Sequence, residues 1–295
     1  VEVIALLQLT PVLVDVDPIN FNIDIAAIEK AITPKTKAII PVHLFGLAAN
    51  MDEVMALAEK HNLYVIEDNA QGIGATYTSK TGQKKMTGGI GHVGSTSFFP
   101  SKNLGCYGDG GAIFTNDDDL AHVIRGIVNH GMYKRYHHDV VGVNSRLDSI
   151  QAAVLRAKLP KLDQYNTTRR NTARKYTMAF AGIQNIITPT GFCDSSSSIC
   201  DTCDCHVFHQ YTLQVKNIDR DALVAHLNAN DIPCGVYYPI PLHLQKAYAD
   251  TRYKEADFTV TNRLVKEVVS LPMHTELDDE QIAFITKTLI DFVTK

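Results

Sequence analysis

The sequence predicts an α/β protein, with a mostly parallel central sheet covered by helices followed by a smaller α+β unit. Three observations carry this. Apolar runs such as "TKAIIPVHLFG" (36–46) and "LYVIED" (63–68) lack in–out alternation, as strands buried on both faces do. Amphipathic helical stretches separate these runs, the order that crossover connections in a parallel sheet require. Beyond a long helical stretch the pattern changes to a polar loop, single strands and helices. The expected boundaries are 1–160 for the large domain and 161–295 for the small one.

Taken in order, "VEVIALLQL" (1–9) reads as the middle or end of an amphipathic helix with no cap before it. A domain that starts so abruptly is expected to lack an N-terminal portion. "TPVLVDVD" (10–17) and 36–46 read as strands. "NMDEVMALAEKHN" (50–62) places Met51, Val54, Met55 and Ala58 at helical spacing. Residues 63–68, "GHVGSTSFF" (91–99) and "GGAIFTN" (110–116) return to strand. "DDDLAHVIRGIVNHG" (117–131) opens on aspartates and closes on a glycine, the polarity expected of a helix. Residues 146–183 read as long helix, re-aimed at Pro160. In the second half, 206–215 reads as strand, 219–232 as helix, 233–245 as a proline-punctuated extended segment and 278–295 as a terminal helix.

Composition narrows the function classes. The chain has 295 residues, 45% apolar and 20% charged, with a net charge of −4. That is the make-up of a globular protein with a sizeable core. A weakly acidic chain has no general attraction for nucleic acid or anionic membrane, so an anionic ligand must be gripped by a few local groups. No apolar run reaches the length of a membrane span. The expectation is a cytoplasmic protein.

Of six cysteines, Cys200, Cys203 and Cys205 crowd into "ICDTCDC", with Cys193 upstream and His206 and His209 downstream. Structural zinc sites use two well-spaced cysteine pairs or added histidines. Here the second pair has the wrong spacing, so the expectation is a surface loop without metal.

Ligands of open parallel sheets sit beyond the carboxyl ends of the strands. Two such ends carry unusual chemistry. "LYVIEDNAQ" ends in Asp68, with Gln71 three residues on; "STSFFPSK" ends in Lys102, with Ser97 five residues before it. Lys102 could be a solvated loop residue or half of an ion pair with Asp68. Equally, the two could serve pyridoxal phosphate, the lysine forming the Schiff base and the aspartate pairing with the pyridinium nitrogen. Burial would lower the pKa of the lysine and free its amine. Spacing alone leaves these readings open.

"VIEDNAQGIGATY", "GSTSFFPSKNLGCYGDGGAIFTNDDDLA" and "VGVNSRLDSIQAAV", in this order, resemble the DegT/DnrJ/EryC1/StrS family of nucleotide-sugar aminotransferases, as do "HVFHQY" and "VYYPIPLH". The resemblance covers essentially the whole chain. It implies a fold-type-I pyridoxal-phosphate enzyme working as a homodimer with shared active sites. By position, Lys102 is implied as the Schiff-base lysine, Asp68 as partner of the ring nitrogen and Gln71 as a neighbour of the ring hydroxyl. Ser97 is implied as a phosphate ligand, Asn144 as a residue reaching the phosphate from the other subunit, and Arg146 and Tyr238 as substrate neighbours. Arg135 and Tyr136 read as surface residues. The family's glycine-threonine or glycine-serine phosphate loop and its stacking aromatic, which precede these motifs, do not occur in this chain.

The activity implied is amino transfer, with glutamate as donor, to a keto group of a nucleotide-linked sugar. The central motif is most similar to enzymes that aminate UDP-linked 3-keto-N-acetyl sugar acids for surface polysaccharide. The alternatives are a 4-keto-6-deoxy sugar substrate, a pyridoxal-phosphate sugar dehydratase, or a non-catalytic fragment or paralogue. In similar dehydratases histidine occupies the lysine position, which counts against that class.

Overall fold

A computed structural model of the chain describes residues 1–190 and 204–294. The chain divides into two compact units, each built from separated stretches. One comprises 37–170 and 191–209; the other comprises 1–36, 171–190 and 210–295.

The first of these is organised on a four-stranded sheet. Its strands are β1 (Ala38–Ile39), β2 (Tyr64–Asp68), β5 (Val93–Ser97) and β6 (Gly111–Phe114), adjacent in that order, while β3 (Thr76–Thr78) and β4 (Lys84–Met86) form a hairpin. β1–β2 and β2–β5 are parallel and β5–β6 is antiparallel. Helix Met51–His61 supplies the crossover between β1 and β2, burying Met51, Val54, Leu57 and Ala58. It ends on Asn62 in the left-handed region, φ 54°, where asparagine is tolerated as a terminator. Because β6 runs antiparallel to β5, the chain between them needs only a return loop, residues 98–110. That loop carries Lys102. Beneath it, Phe98, Leu104, Cys106, Leu155 and Leu162 form one buried apolar cluster. A second hairpin pairs β7 (Met132–Lys134) with β8 (His137–His138).

The other unit holds a three-stranded antiparallel sheet of β9 (Ile186–Ile187), β10 (Tyr211–Val215) and β11 (Val268–Leu271), with β10 in the middle. Every residue of β10 and β11 is buried. Helix Arg220–Ala229 opens on Asp219, whose carboxylate accepts from the amides of Asp221 and Ala222, both at 3.0 Å. Helix Asp279–Val293 opens on a reciprocal cap between Asp278 and Gln281 and buries Ile282, Ile285, Leu289 and Val293. These are the acceptors that the free amides of a first helical turn require. Among the described residues no helix is long and apolar enough to cross a membrane.

Several expected elements come out differently. Residues 10–17 make only a single bridge, Val16 to Ile23. Beyond local backbone bonds such as Asp17 N to Asn22 O at 2.8 Å, Leu13 N donates to the Tyr253 hydroxyl at 2.7 Å, and the Asp15 carboxylate accepts from the amides of Val260 and Thr261 at 2.9 Å, capping helix Thr259–Glu267. The run 36–46 keeps two residues in β1 and closes in a 3-10 turn, Leu44–Gly46. In the run 206–215 the strand starts only at Tyr211, after Phe208 at φ 44° has broken the extended path. The stretch 146–183 is helix Ser149–Lys158, a 3-10 turn with Pro160 in its first positions, and helix Leu162–Ala179, as Pro160 demanded. The hairpins β3–β4 and β7–β8 were not anticipated. They are two or three residues a strand and mostly exposed, too short to carry an apolar period.

Candidate active site

Asp68 is the last residue of β2 and is fixed on both sides. Its amide donates to Pro41 O at 2.9 Å, its carbonyl accepts from His43 N at 3.0 Å, and the next amide, Asn69 N, donates to Ser95 O at 2.7 Å. The chain then turns through residues 70–74, where Ala70 N donates to Asp68 Oδ1 at 3.0 Å and holds that carboxylate oxygen. Gln71 is buried in the same turn, its Oε1 accepting from Phe45 N at 2.6 Å. The Gln71 amide NH2 is therefore the end that can donate to a ligand.

Lys102 lies in the return loop between β5 and β6. Its amide donates to Phe99 O at 2.9 Å, and Cys106 N donates to Phe98 O at 2.8 Å, so the loop is closed twice across the lysine. A Cβ on Gly105 would stand 2.4 Å from Pro100 O, so the loop can close this tightly only with glycine there. Lys158 Nζ donates to Gly105 O at 2.7 Å from below. The Lys102 side chain is half-buried, and burial lowers its pKa below the ordinary lysine value while the Asp68 carboxylate partly opposes the shift. A solvated loop lysine would show neither effect. Ser97, the last residue of β5, accepts from Phe99 N at 3.2 Å. Asp68, Gln71, Ser97 and Lys102 thus all stand at the carboxyl ends of β2 and β5 or in the turns that follow.

The other candidate side chains for this site are exposed. Asn144 and Arg146 are exposed, with Arg146 Nε donating to Asn144 Oδ1 at 2.9 Å. Tyr238 is exposed and belongs to the other unit. Arg135 and Tyr136 are exposed, with the guanidinium 4.9 Å from the Tyr136 ring centroid. Cys193, Cys200 and Cys203 lie outside the described residues. Cys205 is buried against Leu47, and His206 is buried and stacked on Phe208 with ring centroids 3.7 Å apart.

Two buried polar clusters escaped the sequence reading. Glu67, the residue before Asp68, has no exposed surface. Its Oε2 accepts from His43 Nε2 at 2.8 Å and Gly88 N at 2.7 Å; its Oε1 accepts from Ile90 N and Gly91 N, both at 2.7 Å. Ala49 N donates to His43 Nδ1 at 3.1 Å, so the ring proton of that tautomer sits on Nε2 and points at Glu67. Burial pushes the Glu67 carboxyl up, but the His43 bond and the loop amides outweigh it, leaving its pKa below the usual value. The available signal was an acid inside an apolar strand, on the face opposite Asp68: such a group must have partners waiting for it.

The second cluster surrounds Asn103, next to the lysine. Its Nδ2 donates to Asn166 Oδ1 at 2.8 Å and to Val207 O at 3.0 Å, and its Oδ1 lies 3.3 Å from His209 Nδ1. Val207 O can only accept, so the Asn103 amide is oriented and His209 carries its proton on Nδ1. Burial, reinforced by the positive charges of Lys102 and Arg169, lowers the His209 pKa to about 3. The imidazole stays neutral. Asn166 belongs to the spacing Leu162, Asn166, Arg169, whose members are all buried; that helical stripe was the signal available.

This donor set fits pyridoxal phosphate: a desolvated amine for its aldehyde, an oriented carboxylate for its ring nitrogen, and a hydroxyl and amide NH2 at the same strand ends. Residues 1–290 match the DegT/DnrJ/EryC1/StrS aminotransferase family. A UDP-N-acetyl-3-dehydro-alpha-D-glucosamine 3-aminotransferase of Acidithiobacillus ferrooxidans is 46% identical over 98% of this chain and 73% of its own length. A UDP-2-acetamido-2-deoxy-3-oxo-D-glucuronate aminotransferase of Pseudomonas aeruginosa is 45% identical over 98% of this chain and 75% of its own. A Geobacillus stearothermophilus protein named as a pleiotropic regulatory protein is 45% identical over 96% and 72%. Among solved structures, a DegT DnrJ EryC1 StrS aminotransferase from Brucella abortus superposes with a TM-score of 0.87 at 39% identity, covering 100% of this chain and 76% of that one. A Bacillus subtilis protein solved with bound cofactor PMP gives a TM-score of 0.83 at 29% identity, covering 97% and 63%.

Proposed function

Because the chain belongs to the DegT/DnrJ/EryC1/StrS aminotransferase family, we propose that it moves an amino group from glutamate to the 3-keto carbon of a UDP-linked N-acetyl sugar acid. Bound pyridoxal phosphate would supply the electron sink that lets the bonds at the amine-bearing carbon break and re-form. The observation that carries the reading is Lys102, a half-buried amine in a doubly closed loop that feels the Asp68 carboxylate.

Each residue has a task that its surroundings support. Lys102 Nζ would anchor the cofactor and, once released by the donor, take up and return the substrate proton. Its lowered pKa favours the neutral amine that such proton transfer needs. Asp68, one oxygen held by Ala70 N, would keep the ring nitrogen protonated. The Gln71 NH2 would donate to the ring hydroxyl and the Ser97 hydroxyl to the phosphate. Asn144 and Arg146, exposed on this chain, would complete the site of a second copy in a homodimer, and Tyr238 would flank the sugar. The setting would be cytoplasmic, the product a building block for surface polysaccharide.

The 3-keto choice rests on the two 3-amino-forming relatives at 45–46% identity. The test is incubation of the cofactor-loaded chain with nitrogen-labelled glutamate and either a UDP-3-keto-N-acetyl sugar acid or a 4-keto-6-deoxy nucleotide sugar. Label should enter the 3-keto compound in stoichiometric exchange for 2-oxoglutarate. Label in the 4-keto compound alone would reassign the substrate. Loss of water without label would replace amino transfer with dehydration.

A further inference from the structure

One side chain from a third element hydrogen-bonds both to the turn that follows Asp68 and to the loop that carries Lys102. Asn166, on helix Leu162–Ala179, is 1% exposed. Its Nδ2 donates to Ile73 O at 3.2 Å, in the 70–74 turn that follows Asp68, and its Oδ1 accepts from Asn103 Nδ2 at 2.8 Å, beside Lys102. Neither amide can be turned over. Asn166 is oriented by a backbone carbonyl at Ile73, and Asn103 by the carbonyl of Val207. The approach of Asn166 also depends on Gly74: this residue has φ +83°, and a Cβ there would stand 2.5 Å from Asn166 Nδ2.

We propose that Asn166 is a positioning residue whose amide fastens the Asp68 turn to the Lys102 loop and so sets the separation of carboxylate and amine. The inference rests on the assignment of Lys102 and Asp68 to one site. β2 and β5 are neighbours in the sheet up to Asp68 and Ser95, and beyond that pairing Ile73 packs against the apolar cluster that holds Phe98, Leu104 and Cys106. The Ile73–Asn166–Asn103 bridge adds an oriented polar link to this apolar contact. Val207 O and the His209 ring close the far side of Asn103, so the bridge cannot relieve itself by rotating the Asn103 amide.

The separation is readable without catalysis, through the effect of Asp68 on the Lys102 amine. In the cofactor-free chain, the pH midpoint of Lys102 acylation is followed by mass spectrometry of its peptide. Asp68 favours the protonated amine, so Asp68→Asn should lower the midpoint. His209, neutral above about 3, does not titrate in this range. Arg169 also bears on His209 and, its pKa lowered by burial to about 10, stays charged below that value.

In an Asn166→Ala background, the drop caused by Asp68→Asn should be about half as large or smaller, the mark of a severed coupling in a double-mutant cycle. Asn103→Ala cuts the bridge at its other end and is read in the same way if Asn166→Ala does not accumulate folded. An equal drop in both backgrounds would overturn the role of Asn166 while leaving the site intact. No drop in the parent chain would instead remove the Asp68–Lys102 pairing, and the proposal with it. A drop that shrinks in Asn166→Ala but is restored by Asn166→Gln would support positioning over general loosening.

Discussion

Glu67→Gln is the substitution by which the buried carboxylate beneath the site can be weighed. Oε2 serves His43 Nε2 and Gly88 N, and Oε1 serves Ile90 N and Gly91 N. A glutamine can present its carbonyl to one pair only; its NH2 then faces the other pair, donor against donor. Moving the His43 proton to Nδ1 gives no relief, because Ala49 N already donates there. At least two buried N–H groups lose their acceptor in either orientation. At about 1–3 kcal/mol for each unsatisfied donor, the local cost is about 2–6 kcal/mol.

Hydrogen exchange reads this locally, in the peptide holding Gly88, Ile90 and Gly91. Even the lower figure corresponds to roughly thirtyfold faster exchange. The pH dependence has a definite sign. The folded pKa of Glu67 is depressed, so its stabilisation is complete above the unfolded value of about 4.3 and is lost as pH falls through the folded one. The gap between parent and variant should hold from neutral pH to about 5 and close only as pH falls through the depressed folded value. Exchange within a factor of about two of the parent at pH 7 would refute the claim that this carboxylate holds the 88–91 loop.

Lys102→Ala should abolish amino transfer with an unchanged circular dichroism spectrum, and near-parental turnover would displace it from the site. Asp68→Asn should retain cofactor in a spin-column assay yet lose activity by orders of magnitude; unchanged single-turnover rates would remove its role. Gly105→Ala drives a Cβ to within 2.4 Å of Pro100 O and should cost at least ~2 kcal/mol in urea unfolding. A neutral outcome would mean that the lysine loop is not tightly closed. Asp15→Ala removes acceptors from Val260 N and Thr261 N and should cost about 1–2 kcal/mol at neutral pH. Since the Asp15 pKa is lowered in the fold, that difference should shrink as pH falls through the depressed folded value, which pH-dependent melting of the two proteins checks.

Local patterns, which need no partner to be read, carried the sequence prediction furthest. The crossover helix Met51–His61, the aspartate caps of helices Asp118–Val128, Arg220–Ala229 and Asp279–Val293, and the break at Pro160 all follow from residues a few positions apart. The placing of Asp68 at the end of β2 was legible for the same reason, whereas Lys102 stands five residues beyond the end of β5, in the return loop. Asp68 closes an apolar run, and ligands of such sheets collect at those ends.

What only the tertiary structure decided is where buried polar groups find their partners. Glu67 meets His43 across 24 positions and the 88–91 loop beyond it; Asn103 meets Asn166 across 63 and Val207 across 104. Residues 10–17 carried a valid strand pattern, yet Asp15 caps a helix 245 positions away and the segment joins no sheet. A sequence shows that a polar group inside an apolar run must be satisfied. Only the folded chain determines by which residue, because that depends on which distant segments the sheet order brings within hydrogen-bonding distance.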